Sequence, residues 1–149
     1  MRLIILIFCL LGFLFSGCNI NQIERKVIQT DRAPQAIGPY SQAILSGNVL
    51  YLAGQIAIDP ATGQMVSRGI EEQTHQVMQN MQAVLNEAGF DFEDVVQVQI
   101  FLTDLNNYST INNIYAGYFN ESPPARAVVE VVRLPKDALI EIMATACKK

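Results

Sequence analysis

Hydrophobic and polar positions follow two different periods along this chain, and the change from one to the other marks out its elements. In the stretch ALIEIMATA, residues 138 to 146, a strand sends Leu139, Glu141, Met143 and Thr145 to one face and Ile140, Ile142, Ala144 and Ala146 to the other. VVQVQIFLT (95–103) alternates in the same way over its first half, KVIQT (26–30) predicts another strand, and PPARAVVEV (123–131) predicts one that follows two prolines. SQAIL and VLYLA flank Ser46-Gly47-Asn48 and predict a hairpin. Elsewhere the period lengthens. Ile70, Thr74, Val77, Met81, Val84 or Leu85, and Ala88 recur at helical spacing, while Glu71, Glu72, Gln76, Gln79 and Glu87 point elsewhere, so a helix is expected over 69–88 with Gly89 as its stop. A second helix, 108–119, presents Ile111, Tyr115 and Phe119 along one face, where they read as core. Pro34, Gly38 and Pro39 make 31–40 a loop, and Asp59-Pro60, Gly63 and RLPKD (133–137) mark turns.

Strands interleaved with two helices predict an α+β fold, with both helices on one face of a mixed, largely antiparallel sheet. The other face then lacks a cover, and two charged residues stand out against the pattern. Arg126 opens a strand of alanine and valine, and arginine is almost never fully buried unless something pairs with it. Either it reaches water or a carboxylate from a strand end, or it forms an anion site. Glu141 lies between two isoleucines, where an unpaired carboxylate costs several kcal/mol if it is buried. Together they suggest that other chains cover the open face and that the charged pair lines a cleft between subunits.

The N-terminus has a different pattern. Arg2 precedes an apolar run from Leu3 to Phe15, which is shorter than the ~20 residues a spanning helix needs, and Ser16 and Gly17 lead into Cys18. That order is expected of a secretory signal over residues 1–17, followed by a tether over 18–26 and one domain over 27–149. The small pair before Cys18 resembles a bacterial lipoprotein signal, which implies that Cys18 is lipidated and holds the protein to the cell envelope, at the outer membrane if the cell has one. Of the three cysteines, Cys9 would be lost with the leader and Cys147 would stand alone, so no disulfide is expected within one mature chain.

Composition narrows the function. The 149 residues carry 10 Lys+Arg against 14 Asp+Glu, a net charge of -4, and no basic run beyond Lys148-Lys149, which argues against a nucleic-acid partner. His75 is the single histidine and is expected beside the apolar stripe of its helix, so a Ser/His/Asp or Cys/His set is not expected. No Cys/His grouping has metal-ligand spacing.

PPARAVVEVVRLPKDALIEIMA (123–144) closely resembles the C-terminal signature of the reactive intermediate deaminases, the RidA or YjgF family. AIGPYSQA (36–43), AGQIAIDPATG (53–63) and VQIFLTDLNNY (98–108) follow that family's order. The resemblance covers residues 26 to 149. It implies a chorismate-mutase-like fold, a homotrimer with sites between subunits, and hydrolysis of 2-imino acids and their enamine tautomers to 2-keto acids and ammonia, without a metal or organic cofactor. Carried over by position, Arg126 binds the substrate carboxylate, Glu141 holds the attacking water, and Tyr40, Gly54 and Asn112 line the pocket. Val128 stands where the family often has cysteine, which excludes thiol chemistry there. Two other readings compete with the enzyme: a binding protein that uses the same cleft for a small carboxylate, and a ribonuclease, which an acidic chain serves poorly.

Overall fold

A computed structural model describes residues 23–66, 69–119 and 122–149. The leader, Cys18 and most of the tether lie outside the described residues. The strands are β1 (Arg25–Ile28), β2 (Ala43–Ser46), β3 (Val49–Gln55), β4 (Val95–Leu102), β5 (Ala125–Glu130) and β6 (Ile140–Cys147); the helices are α1 (Ile70–Glu87) and α2 (Tyr108–Ala116). All six strands form one sheet in the order β1-β2-β3-β6-β4-β5. Every pairing is antiparallel except β4 with β5. That parallel step needs a crossover connection, and α2 lies within it. The expected α+β architecture is therefore observed, with β6 in the interior of the sheet and β5 on an edge.

Strand parity builds the core. Ile140, Ile142, Ala144 and Ala146 are buried, while Glu141, Met143, Thr145 and Cys147 are half-buried on the opposite face. Val98 and Ile100 of β4, both almost fully buried, pair with Ala144 and Ile142, so the inward face continues across the two strands. Val77, Met78, Met81, Val84 and Leu85 of α1 and Ile111 of α2 close over it. The α1 stop is as expected: Gly89 adopts a left-handed φ of 78°. Its N–H bonds the Asn86 carbonyl, and the Phe90 N–H bonds that of Leu85, which satisfies two carbonyls the helix leaves open.

Hydrogen bonds that periodicity does not report set several boundaries. β1 ends at Ile28 rather than residue 30, because the Thr30 N–H and carbonyl are both bound by the Gln42 side chain, at 2.7 and 3.0 Å. β6 begins two residues later than the alternation suggests. There the Leu139 N–H donates to Gln73 Oε1 of α1 at 2.9 Å, and its carbonyl accepts from the Thr103 N–H. α2 ends at Ala116, before Gly117, yet Phe119 still packs into the core.

Asn80 is a third such tie. It lies in α1, is 1 % exposed, and donates Nδ2 to the carbonyls of Ile56 and Ile58 at 3.1 and 2.9 Å. Without it the buried Ile58 carbonyl loses its side-chain donor, and the Ile56 carbonyl keeps only the Ile58 N–H among the described residues. Asn80→Ala should destabilise the fold by ~1–3 kcal/mol, while Gln79→Ala on the exposed side of the same helix should change it by less than ~0.5 kcal/mol. Denaturant unfolding of the two variants checks this; equal midpoints would remove the role given to Asn80.

Candidate active site

Five residues were expected to line a cleft between subunits. Within one chain they fall into two groups on opposite faces of the sheet. Arg126 pairs in register with Val98, whose side chain is in the core, so the arginine projects on the helix-covered face. Glu141 pairs with Phe101 and projects on the uncovered face. The expectation that both charges line the open face is thus corrected for Arg126: β4 and β5 run parallel in a register that gives Arg126 the parity of buried residues.

The first group surrounds Arg126. Its Nη2 donates to the Tyr108 hydroxyl at 3.2 Å. Its Cζ lies 4.7 Å from the centre of the Tyr115 ring and 5.7 Å from that of Tyr108, within reach of a cation–π attraction. Asn112, Tyr115, Ala116, Phe119, Pro123, Pro124 and Arg126 line a cavity of about 450 Å³. Two buried polar atoms among them, Asn112 Oδ1 and the Tyr115 hydroxyl, have no hydrogen-bond partner. Each such orphan costs ~1–3 kcal/mol, so groups of this kind point to a ligand or water that completes them. Burial pushes the Tyr115 phenol up to about 12, which keeps it a neutral donor.

The second group surrounds Glu141. β3 carries a register shift between Leu52 and Gln55, and this irregularity brings Gly54 against the Glu141 carboxylate. A Cβ on Gly54 would stand 1.9 Å from Glu141 Oε1 and 2.8 Å from Cδ, so only glycine leaves room. Glu141 is half-buried, and burial raises its pKa above that of an ordinary carboxyl. Tyr40 is half-exposed, accepts from the Ile37 N–H at 3.3 Å, and lines a small pocket with Gly54, Gln42 and Ile56. Gly54 therefore joins Tyr40 and Glu141, while Asn112 belongs with Arg126.

The aromatic helix residues read only as core, yet Tyr108 and Tyr115 hold the arginine. Their hydroxyls were the available signal, because a tyrosine along an apolar stripe needs a partner for its oxygen. His75 sits at the surface as expected, with Nδ1 3.4 Å from the Tyr118 hydroxyl. Among the described residues no three His, Cys, Asp or Glu side chains gather to hold a metal, and no helix is long and apolar enough to cross a membrane.

The fold is thus a mixed sheet covered by two helices, with an arginine beside a cavity on the covered face and a half-buried carboxylate on the uncovered one. The family described as Endoribonuclease L-PSP matches residues 30–148, and the chain belongs to this family, the RidA/YjgF group. It is 54% identical over 125 residues to a RutC family protein of Pyrococcus horikoshii, covering 84% of this chain and 99% of that one. It is 46% identical over 127 residues to the human 2-iminobutanoate/2-iminopropanoate deaminase, covering 85% and 93%. Among solved structures, the YjgF gene product of E. coli superposes with a TM-score of 0.80 at 42% identity, covering 83% of this chain and 99% of that one. E. coli TdcF with bound serine gives the same TM-score at 38% identity, with the same coverage.

Gly54→Ala tests the contact that shapes the second group. The obstructing atoms belong to the end of a flexible side chain, so the variant should fold while the Glu141 carboxylate swings toward water and its pKa falls back toward the ordinary value. A carboxyl-carbon NMR titration of Glu141 reads this; an unchanged titration would mean that the glycine does not hold the carboxylate in place.

Proposed function

We propose that the protein hydrolyses reactive 2-imino acids and their enamine tautomers, of the 2-iminobutanoate and 2-iminopropanoate type, to 2-keto acids and ammonia, in sites completed between the chains of a homotrimer. The observation that carries this reading is the separation of the two groups: Arg126 and Glu141 lie on opposite faces of one sheet, so a site that uses both requires two chains. The uncovered face supports the assembly, since Val27, Tyr51 and Val129 are each close to half-exposed in the isolated chain. The names of the mammalian relatives support the reaction.

In this mechanism Arg126 holds the substrate carboxylate through parallel N–H donors, a geometry lysine does not offer. Asn112 Oδ1 accepts from the substrate nitrogen. Glu141 of a neighbouring chain takes a proton from water as its oxygen bonds to C2 and the C=N π electrons move to nitrogen. The substrate reacts as its iminium, so this addition leaves a neutral amine. The carbinolamine then collapses as Glu141 returns its proton to that nitrogen and the C–N bond breaks with its electron pair leaving on ammonia. The hydroxyl proton passes to the Glu141 carboxylate and on to solvent to leave the ketone. Proton transfer by a positioned carboxylate contributes ~10²- to 10⁴-fold. The base works ionised, so kcat/KM should fall as pH drops through the raised pKa of Glu141.

Mixing inactive chains tests both chemistry and assembly. Arg126→Ala and Glu141→Gln should each lose nearly all hydrolysis of 2-iminobutanoate. Co-expressed in equal amounts they should regain about a quarter of the parent activity, because random assembly pairs an intact arginine with an intact glutamate in about one site in four. No regain in trimers of mixed composition would sink the shared site. RNA assayed in parallel should remain uncut.

We further propose that residues 1–17 are removed and that Cys18 is lipidated, with 18–26 as tether and 27–149 as the deaminase domain, which would hold the enzyme at the cell envelope. A lipoprotein cysteine carrying more than one acyl chain suffices for stable attachment, whereas one chain gives marginal binding. Cys18→Ser should abolish palmitate labelling and leave an unprocessed chain with an active domain; a parent protein that takes up no label and fractionates at full length with the cytosol would refute the anchor.

A further inference from the structure

We infer that Tyr108 is a positioning residue for carboxylate recognition: its hydroxyl holds one nitrogen of Arg126 and thereby sets how the rest of the guanidinium meets the acid end of the substrate. The inference rests on the reading of Arg126 as the carboxylate site and adds a residue that neither the sequence motifs nor the two-group geometry had assigned.

The ion pairs between described residues join Arg32 to Glu87, Arg133 to Asp137 and Lys148 to Asp94, and none involves Arg126. Among the described residues, what holds Arg126 is neutral: the Tyr108 oxygen at 3.2 Å on Nη2, and the rings of Tyr108 and Tyr115. This choice of partner matters. A carboxylate at the place of the Tyr108 hydroxyl would cancel the charge that attracts an anion, whereas a phenol fixes one nitrogen and leaves the charge and the remaining N–H donors available. Helix spacing adds a second link. Asn112 lies four residues on in α2, one turn along from Tyr108, and leaves its Oδ1 without a partner in the cavity beside Arg126. The Tyr108 hydroxyl and the Asn112 amide thus stand one helical turn apart, beside the guanidinium.

The Arg126–Tyr108 contact also couples recognition to pH. The Asn112 amide and then the Arg126 charge hold the Tyr108 phenol below its usual value. Once ionised, the phenolate pairs with Arg126 and competes with the incoming carboxylate. The other titratable groups around it act differently. Tyr115 ionises later, since burial pushes it up to about 12. Asp104 and Glu130 bind the N–H groups of Asn106 and Leu105 in the turn that leads into α2.

The test is calorimetric binding of 2-ketobutanoate, whose charge does not change across the range, to the parent, Tyr108→Phe and Arg126→Ala proteins from about pH 7 to about pH 10. Tyr108→Phe keeps the ring over Arg126 and should melt like the parent. It should weaken binding ~5- to 10-fold near neutral pH and raise KM for the imine by the same factor, with kcat within ~2-fold, the signature of lost uniform binding. The parent should lose affinity at the alkaline end, and Tyr108→Phe should not. Parent-like affinity and pH dependence in Tyr108→Phe, alongside no binding by Arg126→Ala, would overturn the role of Tyr108 and leave the Arg126 site standing. Equal binding by the parent and Arg126→Ala would overturn the site and the positioning role together.

Discussion

A β-strand must send successive side chains to opposite faces, and in this protein that constraint acts most strongly on β6. It is hydrogen-bonded on both edges, to β3 and to β4, so its register is held from two sides. Sliding it by one residue would drive Glu141, Met143 and Thr145 under the helices and expel two isoleucines and two alanines. The core therefore protects the position of a carboxylate that contributes nothing to it. Glu141 stays on the uncovered face because its neighbours cannot leave the covered one.

Parity also explains why one chain holds two incomplete groups. β5 joins the sheet parallel to β4, and this register assigns Arg126 to the helix side, at the sheet edge, where aromatic rings and a phenol receive it. Aromatic faces attract a cation without neutralising it. Beside it, two buried polar atoms remain unsatisfied among the described residues. An unliganded protein tolerates such orphans where a ligand completes them, and here they stand next to a guanidinium that pairs with no carboxylate among the described residues.

Burial at Glu141 works in the opposite sense. Removing water around a carboxylate favours its protonated form, so the group is held in a state that exchanges a proton more readily than a fully hydrated one. The glycine opposite it is a steric requirement rather than a turn residue. Gly54 occupies an irregular stretch of β3 where any side chain would meet the carboxylate.

Much of this was legible in the chain itself. The alternation at 138–146, the helical spacing at 69–88 and the Gly89 stop are local patterns, and period, burial and conformational freedom are properties a short window carries. The oddity of Arg126 and Glu141 was equally local, since each breaks an apolar pattern. What sequence spacing could not carry was the contacts between distant segments. Asn80, Gln73 and Gln42 look like ordinary polar residues, yet each satisfies backbone groups far from it in the chain. The face that Arg126 takes depends on the parallel register of β5 against β4, and the need for Gly54 depends on a side chain in β6. Periodicity is set by each residue's own backbone and so survives in the sequence, whereas register and close approach are set by partners far along the chain and exist only once the sheet has formed.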